Sequence, residues 1–349
     1  MKKTIAFVGS VGIPARYGGF ETLVEQLSKR LVSKHEIFVF CSSKSYSKSE
    51  RKKDYQSAVR YFIPLKANGF SSIFYDLISL IRAIPLANNI IILGGSASFF
   101  LPLFKPFLRK KNLIFHPDGT EWTRLKWGIV TRTYLKLSIY AGCKTANKII
   151  IDNAALNKLY RKFNKKCVQC SYGGDQYQLK DEKMDYWLSI ARAEPENNLE
   201  LIAETFSNLP SEKWRLISNF SASAFGRKLQ KKYQQFSNIQ LVHSTYNKEE
   251  IEKHLNCCKG YIHGHSAGGT NPTLASAMWL NKPLLCHNNI FNKSTTQGYA
   301  LFFNNTSELG KLLLNDNLNT LKLARHARKI AQEKYTWNTV SDVYESLFI

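Results

Sequence analysis

Short apolar runs rich in β-branched residues alternate along this chain with amphipathic stretches of helical length. In the first half the runs fall at 4–8, 37–41, 59–63, 90–93, 113–116 and 148–151, with helix-like segments such as 20–32 and 70–84 between most of them. The pattern restarts with runs at 187–191, 214–218, 239–242, 260–263 and 283–286. Such alternation is typical of a parallel sheet with helices on both faces. The sequence therefore predicts an α/β protein with two parallel-sheet domains.

A polar segment marks the boundary between the two domains. The chain has 349 residues and 44% apolar side chains, which is enough for two cores of ordinary domain size. The segment 171–185 is polar and contains Gly173-Gly174, so we interpret it as the linker. We expect an N-terminal domain at 1–172 and a C-terminal domain from 173 onward.

Positive charge is concentrated in the first half of the chain. Residues 1–170 contain 29 Lys and Arg against 9 Asp and Glu, whereas residues 171–349 contain 20 against 17. A half this basic favours a polyanionic partner, either nucleic acid or an anionic membrane surface, although a merely soluble basic face is the alternative. No recognisable nucleic-acid module accompanies the charge, so a membrane partner and no nucleic acid is the prediction.

Cysteine usage and hydropathy indicate a cytoplasmic protein. The 7 cysteines are an odd number scattered through predicted strands and helices, which is typical of reduced thiols, and Cys167 and Cys170 are interpreted as half-buried thiols. The apolar run 4–8 is too short for a secretory signal. The apolar stretch 73–93 is interrupted by Asp76, Arg82 and Pro85, so a bilayer-spanning helix is not expected.

Two glycine-rich loops follow predicted strands and open predicted helices. The first runs from Gly9 to Glu21 and includes Gly18-Gly19, and its position suggests a cradle for a phosphate or sugar phosphate. Its glycine spacing is not that of the dinucleotide fingerprint, and the chain has no Walker-type Gly-Lys-Ser/Thr. A nicotinamide enzyme and a phosphate-loop kinase are therefore disfavoured.

The second glycine-rich loop is the sharper signal. It reads His263-Gly-His-Ser-Ala-Gly-Gly-Thr-Asn-Pro272 and follows the run at 260–263, where an open α/β sheet places its ligands. Small residues expose backbone donors, and Ser266, Thr270 and Asn271 add side-chain hydrogen bonds suited to a diphosphate and to sugar hydroxyls.

Four segments in order resemble one family along nearly the full chain. They are Gly-Ile-Pro-Ala-Arg-Tyr-Gly-Gly-Phe-Glu at 12–21, Asp-Gly-Thr-Glu-Trp at 118–122, Arg-Ala-Glu-Pro-Glu-Asn-Asn at 192–198 and His-Ser-Ala-Gly-Gly-Thr-Asn-Pro at 265–272. They resemble the bacterial rhamnosyltransferase-type branch of glycosyltransferase family four. The resemblance implies a GT-B fold, in which two Rossmann-like domains, 1–172 and 173–334, face a cleft and a C-terminal helix, 335–349, packs back on the first.

The resemblance also implies metal-independent, retaining transfer from a nucleotide-diphospho-sugar, used as co-substrate without a cofactor, in the synthesis of cell-surface polysaccharide. Rhamnose is the favoured sugar and a lipid-linked glycan the expected acceptor, which places the protein on the inner face of the cell membrane. The predicted catalytic residues are Asp118, Glu21 and Arg192. Donor binding is predicted for Gly18, Gly19, Arg192, Asn197, His265, Ser266, Gly268, Gly269, Thr270, Asn271 and Ser276. Acceptor binding is predicted for Arg16, Tyr17, Glu121, Trp122 and Arg124.

The chemistry of these residue types supports the assignment, with alternatives left open. An arginine near a strand end can neutralise a leaving diphosphate in place of a metal, and the chain has no Asp-x-Asp. A carboxylate can take the proton of an attacking hydroxyl or bind sugar hydroxyls. Each carboxylate could instead cap a helix or pair with Arg16 or Arg124, and the histidine alternatives for the base are His116, His263 and His265. Trp122 and Trp127 could stack on a sugar or serve in the core.

The chain departs from the family in two places. Asn197 stands where relatives outside this branch have a lysine, so charge compensation would depend more on Arg192 and on backbone donors. Ser276 stands where the family usually has the glutamate that holds the nucleotide ribose. Two rival functions remain: a nucleotide-sugar epimerase of similar architecture, and a non-enzymatic polyanion-binding protein favoured by charge alone.

Overall fold

A computed structural model describes residues 2–16, 18–117, 119–123, 127–174, 176, 185–245, 247–315 and 320–349. The chain divides into two units. Unit 1 comprises Met1–Tyr172 and Trp337–Ile349, and unit 2 comprises Gly173–Thr336. Both contain a mainly parallel sheet with helical connections, so the α/β class predicted from the strand and helix alternation is confirmed.

The strands and helices are numbered in chain order. The strands are β1 Thr4–Val8, β2 Glu36–Ser42, β3 Asp54–Tyr55, β4 Ala58–Ile63, β5 Asn89–Leu93, β6 Asn112–His116, β7 Lys148–Ile151, β8 Cys167–Gln169, β9 Trp187–Ile190, β10 Trp214–Ser218, β11 Ile239–His243, β12 Gly260–His263, β13 Leu284–His287 and β14 Leu301–Phe303. The helices are α1 Gly19–Leu31, α2 Ser71–Leu86, α3 Lys105–Leu108, α4 Ile129–Thr145, α5 Asn157–Tyr160, α6 Leu199–Ser207, α7 Ala224–Tyr233, α8 Lys248–Cys257, α9 Pro272–Met278, α10 Ile290–Thr296, α11 Thr306–Leu313, α12 Thr320–Lys334 and α13 Trp337–Ser346.

The sheet of unit 1 has the order β3-β4-β2-β1-β5-β6-β7-β8 within the described residues. Its central strands β5 and β6 are buried at every position, as expected where helices cover both faces of a parallel sheet. Two short strands escaped the sequence prediction: β3 pairs antiparallel with β4, and β8 adds an edge beyond β7. Runs of two or three residues are too short to show a period.

Opposite faces of this sheet carry different helices. The chain moves across the sheet from β1 to β2 in one direction, and from β4 through β5 to β7 in the other. Because crossover connections between parallel strands are right-handed, α1 lies on one face of the sheet. The connections that run in the other direction, which are α2, the segment 98–108 and α4, lie on the opposite face. On the α1 face, Leu23 and Leu27 belong to the same buried cluster as Tyr344 of α13. Helix α13 therefore completes the core of unit 1.

The sheet of unit 2 has the order β11-β10-β9-β12-β13-β14 in the part of the chain that is described. One buried cluster contains Leu274 and Trp279 with α12, and another centres on Trp214 and Phe206, whose rings stack with centroids 5.8 Å apart. The Trp214 indole donates to Ser189 Oγ at 3.0 Å. Strand β14, with three residues, was missed by the sequence prediction for the same reason as β3 and β8.

All 7 cysteines are free thiols. Cys170 is buried and Cys167, on β8, is half-buried, and the two residues form no disulfide. Burial raises the pKa of the Cys170 thiol to about 12. It is therefore a packed, protonated side chain.

One buried carboxyl gives unit 1 a pH-dependent stability. Asp76 on α2 is 5% exposed and hydrogen-bonds Ser96, and burial raises its pKa to about 8. The pKa of an aspartate in an unfolded chain is about 3.9. Between about pH 4 and pH 8 the folded protein therefore binds more protons at this carboxyl than the unfolded chain does. The contribution of Asp76 to the free energy of unfolding therefore falls as pH rises through that window.

We expect Asp76→Asn to be more stable than the wild type at pH 8, because the amide has no charge to desolvate, and to gain little at pH 4. Urea unfolding at both pH values measures the difference in the free energy of unfolding. Asp54→Asn is the control, since Asp54 is exposed at the start of β3. An equal effect of Asp76→Asn at both pH values would contradict the assignment.

Candidate functional site

The first strand of unit 2 is the point where its strand order reverses. From β9 the chain moves outward through β10 to β11, then returns to place β12 on the other side of β9. The loops that leave β9 and β12 therefore diverge at the carboxyl edge of the sheet, and open α/β sheets bind ligands in this kind of crevice. Those two loops are 191–198 and 264–271, which contain the predicted donor-binding residues of unit 2 other than Ser276.

Close backbone contacts join the two loops. Ser266 donates twice to Glu196 O, from its backbone N at 2.8 Å and from Oγ at 2.9 Å. Asn198 Nδ2 donates to Gly264 O at 2.7 Å. A Cβ at Gly264 would lie 2.1 Å from Asn197 O, so only glycine allows this approach. The hydroxyl of Ser266, predicted to contact the donor, is thus already engaged in positioning the loop.

The Asn197 side chain connects Arg192 to His265. Its Nδ2 donates to Arg192 O at 2.8 Å, and its Oδ1 lies 2.7 Å from His265 Nδ1. Because Nδ2 is the donor to Arg192, Oδ1 must accept, so Nδ1 of His265 carries the proton. Asn197 is buried, with 5% of its surface exposed. A lysine at this position could not accept from His265, so the asparagine has a structural role that sequence reasoning did not assign.

A third loop is tied to the same histidine. Asn289 Nδ2 and Asn292 Nδ2 each donate to His265 O at 2.9 Å and also to His287 O. Asn289 is in addition the N-cap of α10, accepting from the backbone of Phe291 and Asn292. The sequence analysis missed both asparagines. The Asn-Asn-x-x-Asn spacing at 288–292, one residue after the apolar run 283–286, is the signal that could have found them.

The rest of the second glycine-rich loop leads directly into α9. Asn271 is its N-cap and accepts from Thr273 N at 2.9 Å and from Thr273 Oγ1 at 2.8 Å. Gly269 has φ of 144°, a conformation that side-chain-bearing residues rarely adopt, while Gly268 beside it is half-buried and Thr270 is buried. The carboxamide of Asn271 therefore shapes the start of the helix.

Ser276 lies in α9 and is half-buried. The linker packs against the helix at this point, since a Cβ on Gly174 would lie 2.9 Å from Ser276 N and 2.8 Å from Ala275 C. Gly174 N also donates to Tyr335 O at 2.8 Å. The glycine of the linker is thus needed for close packing beside Ser276.

Arg192 and His263 flank the crevice at the ends of β9 and β12. Arg192 lies two residues beyond β9, in the loop held by Asn197, and is half-buried. His263 ends β12 and is buried, and burial, with the neighbouring His265 and His287, holds its pKa well below the usual range. His263 is therefore neutral at physiological pH, whereas Arg192 brings a permanent positive charge to the same edge.

In unit 1, the first glycine-rich loop is organised around the Glu21 carboxylate. Glu21 Oε1 accepts from Val11 N at 2.7 Å, and a Cβ on Gly18 would lie 2.6 Å from Oε2. Gly19 is the first residue of α1, so the carboxylate lies against the start of that helix. A phosphate there would meet a like charge, so the geometry favours a hydroxyl-bearing ligand over the predicted phosphate cradle.

Arg16 is held by contacts within unit 1. Its guanidinium forms an ion pair with Glu50, donates to Ser45 O at 3.1 Å and lies over the Tyr46 ring, 5.0 Å from the centroid. The buried Arg60 donates to Ile13 O at 2.9 Å, on the other side of the same loop. Glu50 is thus a partner of Arg16 that the sequence analysis did not consider.

The strand order of unit 1 reverses between β1 and β5, and the loop after β5 is another feature that the sequence analysis missed. A Cβ on Gly9 would lie 2.1 Å from Leu93 O, so the chain after β1 passes close to the end of β5. In the Gly94-Gly95-Ser96 sequence that follows, Ser96 hydrogen-bonds the Asp76 carboxyl and accepts from Tyr134 Oη at its backbone O. A Gly-Gly-Ser sequence at the end of a buried strand is a detectable signal.

Glu121, Trp122 and His116 are the other predicted residues of unit 1 that the structure describes. Glu121 Oε1 accepts from the Trp127 indole at 3.1 Å, and Trp122 lies beside it in the turn 121–123. His116 is buried, its Nδ1 lies 2.8 Å from Tyr344 Oη, and burial lowers its pKa to about 3. Tyr17, Asp118 and Arg124 lie outside the described residues. Among the residues that are described, no group of three or more His, Cys, Asp or Glu could hold a metal ion.

Comparison with known proteins gives one family match and many structural matches. Residues 2–175 match the family described as "Domain of unknown function (DUF1972)". A search of curated proteins finds no sequence match. Similar solved structures include sucrose-phosphate synthase from Thermosynechococcus elongatus, with a TM-score of 0.81 and 13% identity, covering 99% of this chain and 98% of that one.

Two further structures of this kind were solved with nucleotides. HepE from Anabaena, in complex with UDP and glucose, has a TM-score of 0.72 and 11% identity over 99% of each chain. The catalytic domain of starch synthase IV from Arabidopsis thaliana, bound to ADP and acarbose, has a TM-score of 0.71 and 13% identity over 99% of each chain. At these identities the matches establish the fold: this chain has the GT-B fold of glycosyltransferases, with two Rossmann-like units.

Removing the Asn197 side chain tests the connection between the loops. We expect Asn197→Leu to weaken binding of nucleoside diphosphates about tenfold, because His265 Nδ1 and Arg192 O each lose a buried partner, at a cost of about 1–3 kcal/mol. Calorimetric titration of UDP and dTDP measures the change.

The matched control is Asn238→Ala. Asn238 Nδ2 donates to Phe206 O and Glu212 O near the amino ends of β10 and β11, away from the crevice. It should lower the unfolding temperature without changing nucleotide affinity. If both variants lost stability and neither lost affinity, the loop contacts would have no part in binding.

Introducing a carboxylate at position 276 tests the role of Ser276. A glutamate can accept from both ribose hydroxyls, whereas a serine has a shorter side chain and makes a neutral, weaker hydrogen bond. We expect the wild type to prefer a deoxythymidine donor over a uridine donor, because the deoxyribose has one hydroxyl fewer to satisfy. Ser276→Glu should then strengthen binding of UDP by about 1.5–3 kcal/mol. Titrations of both nucleotides into both proteins decide the matter, and no gain for UDP would end this account of Ser276.

Proposed function

We propose that this protein is a retaining glycosyltransferase that moves a sugar, rhamnose being favoured, from a nucleotide-diphospho-sugar to a lipid-linked glycan acceptor at the inner face of the cell membrane. The product would be an intermediate of cell-surface polysaccharide. The observation that carries the proposal is the connected pair of loops at the strand reversal of unit 2. They combine a permanent cation, a glycine-rich backbone and a fixed histidine on a fold whose relatives bind UDP and ADP.

The diphosphate of the donor is the group best suited to Arg192. Cleavage of the bond between sugar and phosphate leaves negative charge on the diphosphate, and a guanidinium held in place beside it stabilises that charge without reorganisation. Asn197 holds the backbone at Arg192, and Ser266 holds the adjoining loop to Glu196. This arrangement would supply the charge compensation that other transferases obtain from a divalent metal.

His265 is the side chain suited to the sugar. Its Nδ1 proton is committed to Asn197, so in the neutral ring Nε2 is an acceptor and can take a hydrogen bond from a sugar hydroxyl. Gly268 and Gly269 follow His265 by three and four residues, and their lack of side chains would let a ligand approach the loop backbone closely. The donor sugar would thus be oriented by the loop while Arg192 neutralises the diphosphate.

In unit 1 the proposal assigns acceptor binding to the loop around Glu21. The carboxylate is fixed by Val11 N, and the segment 94–96 lies next to the same strand reversal. Glu21 would orient an acceptor hydroxyl, with Asp118 the candidate base that takes its proton. Arg16, Glu121 and Trp122 remain the candidates for contacts to the rest of the acceptor, together with Tyr17 and Arg124.

The activity is tested with Arg192→Ala. We expect sugar transfer to fall at least ~100-fold, the size of effect seen when one preorganised contact to developing charge is removed. Transfer from a panel of UDP- and dTDP-sugars to a lipid-linked glycan is measured by mass spectrometry. Arg227→Ala, which changes an exposed arginine on α7, is the control. Unchanged turnover of folded Arg192→Ala would remove Arg192 from the mechanism, and strong inhibition by EDTA, reversed by magnesium, would contradict metal independence.

A further inference from the structure

Unit 1 exposes a cluster of large apolar side chains on one face of its sheet. Three segments on that face, 70–86, 98–111 and 129–145, contain ten of the sixteen exposed large apolar side chains found among the described residues. Isolated exposed apolar residues are ordinary, but a concentration of this kind marks a surface that contacts a partner. We call these three segments the apolar-basic face.

In α2 the outward stripe is as apolar as the inward one. Phe70, Phe74 and Ile81 fall within about 40° of one another around the helix axis, at 100° per residue. All three are exposed, Phe70 to 79%, and the Phe70 and Phe74 rings meet edge to face at 5.8 Å. The opposite side of the helix, with Tyr75 and Leu80, is buried. A surface helix normally carries polar residues where α2 has these three.

The same character continues in the two neighbouring segments. Phe99, Leu103 and Phe107 recur every four residues and are exposed. In α4 the first two residues, Ile129 and Val130, are 83% and 84% exposed. The segments adjoin one another, because the Phe99 and Tyr134 rings lie 5.8 Å apart and Tyr134 donates to Ser96 O, beside the Asp76 carboxyl of α2.

Charge identifies the partner of this face. Its three segments contain eight Lys or Arg and a single acid, Asp76, which is buried. The exposed cations include Arg82, Lys105, Arg109, Lys110 and Lys136. A protein partner of matching charge would require an acidic, equally apolar surface. An anionic bilayer offers both properties at once, because its phosphates attract the cations and its acyl boundary accepts the aromatic and aliphatic side chains.

We propose that the apolar-basic face seats unit 1 on an anionic lipid bilayer, with Phe70, Phe74, Phe107, Ile129 and Val130 inserted at the headgroup level. Among the described residues no helix is long and apolar enough to cross a membrane, and this mode of contact needs none. Helices α2 and α4 both return from the carboxyl edge of the sheet, so Phe70 and Ile129 lie toward the edge that carries the loops of the strand reversal. An amphiphilic acceptor held in the bilayer would therefore reach unit 1 at that edge; this last step rests on the proposed function, whereas the docking does not.

Vesicle sedimentation of the full chain tests the docking. The vesicles contain phosphatidylcholine alone or with phosphatidylglycerol, and binding is measured at about 0.1 M and about 0.5 M salt. The screening length is about 10 Å at the lower salt concentration and shorter at the higher one, so the attraction between the basic residues and the anionic lipid is weaker there. We expect stronger binding to the anionic vesicles than to the neutral ones, weakened but not abolished at high salt, because salt does not screen the contribution of the inserted side chains.

Two pairs of variants separate the apolar and the charged contributions. Phe70→Ser with Ile129→Ser should lower the partition coefficient at least ~10-fold and leave its salt dependence unchanged. Arg109→Gln with Lys110→Gln should lower it and flatten the salt dependence. The matched controls lie in unit 2: Leu314→Ser with Leu321→Ser, and Lys228→Gln with Lys231→Gln, all of them exposed. Both controls should bind like the wild type.

Several outcomes would overturn the docking. They are equal binding of the apolar variant and its control, equal binding to neutral and anionic vesicles, and a wild-type dimer in analytical ultracentrifugation that the apolar variant dissociates. The last would make the face a contact between copies of the chain. Titration of UDP and dTDP into the same preparations keeps the two proposals apart, since lost vesicle binding with intact nucleotide binding refutes only the docking, and the reverse result refutes only the proposed function.

Discussion

Parallel pairing with right-handed connections is the constraint on which the rest of this structure depends. In each unit the strands that follow the first one are added on one side of it, and the chain then returns and adds strands on the other side. The reversal of strand order lies between β1 and β5 in unit 1, and between β9 and β12 in unit 2. The connecting loops must diverge there, which leaves polar backbone exposed at the carboxyl edge. Both glycine-rich loops of the sequence leave the sheets at these points.

At the strand reversal of unit 2, four asparagine side chains hold the loops in place. Asn197, Asn198, Asn289 and Asn292 donate to backbone carbonyls of the loops and hold three of them together around His265. These hydrogen bonds are neutral, and no lysine at position 197 adds a second positive charge to that of Arg192. The asparagine amides therefore fix the geometry of the loops, and the Arg192 guanidinium supplies the positive charge.

The sequence was sufficient for the α/β class and for the position of the second glycine-rich loop, because the apolar periodicity is strong and the loop follows a buried run. It was insufficient for β3, β8 and β14, whose two or three residues carry no period. The partners of individual side chains were also beyond reach. Glu21 accepts from Val11, and Arg16 pairs with Glu50, contacts that only the folded chain brings together. The outward apolar stripe of α2 was visible as hydrophobicity, but its exposure depends on which side packs against the sheet.

Hydrogen exchange with and without nucleotide tests the central claim, that the paired loops of unit 2 form the nucleotide-sugar site. The account predicts that UDP or dTDP slows amide exchange in 191–198 and 264–271, while the amino ends of β10 and β11 keep their rates. Slowed exchange confined to other segments, or none at concentrations that raise the unfolding temperature, would contradict it.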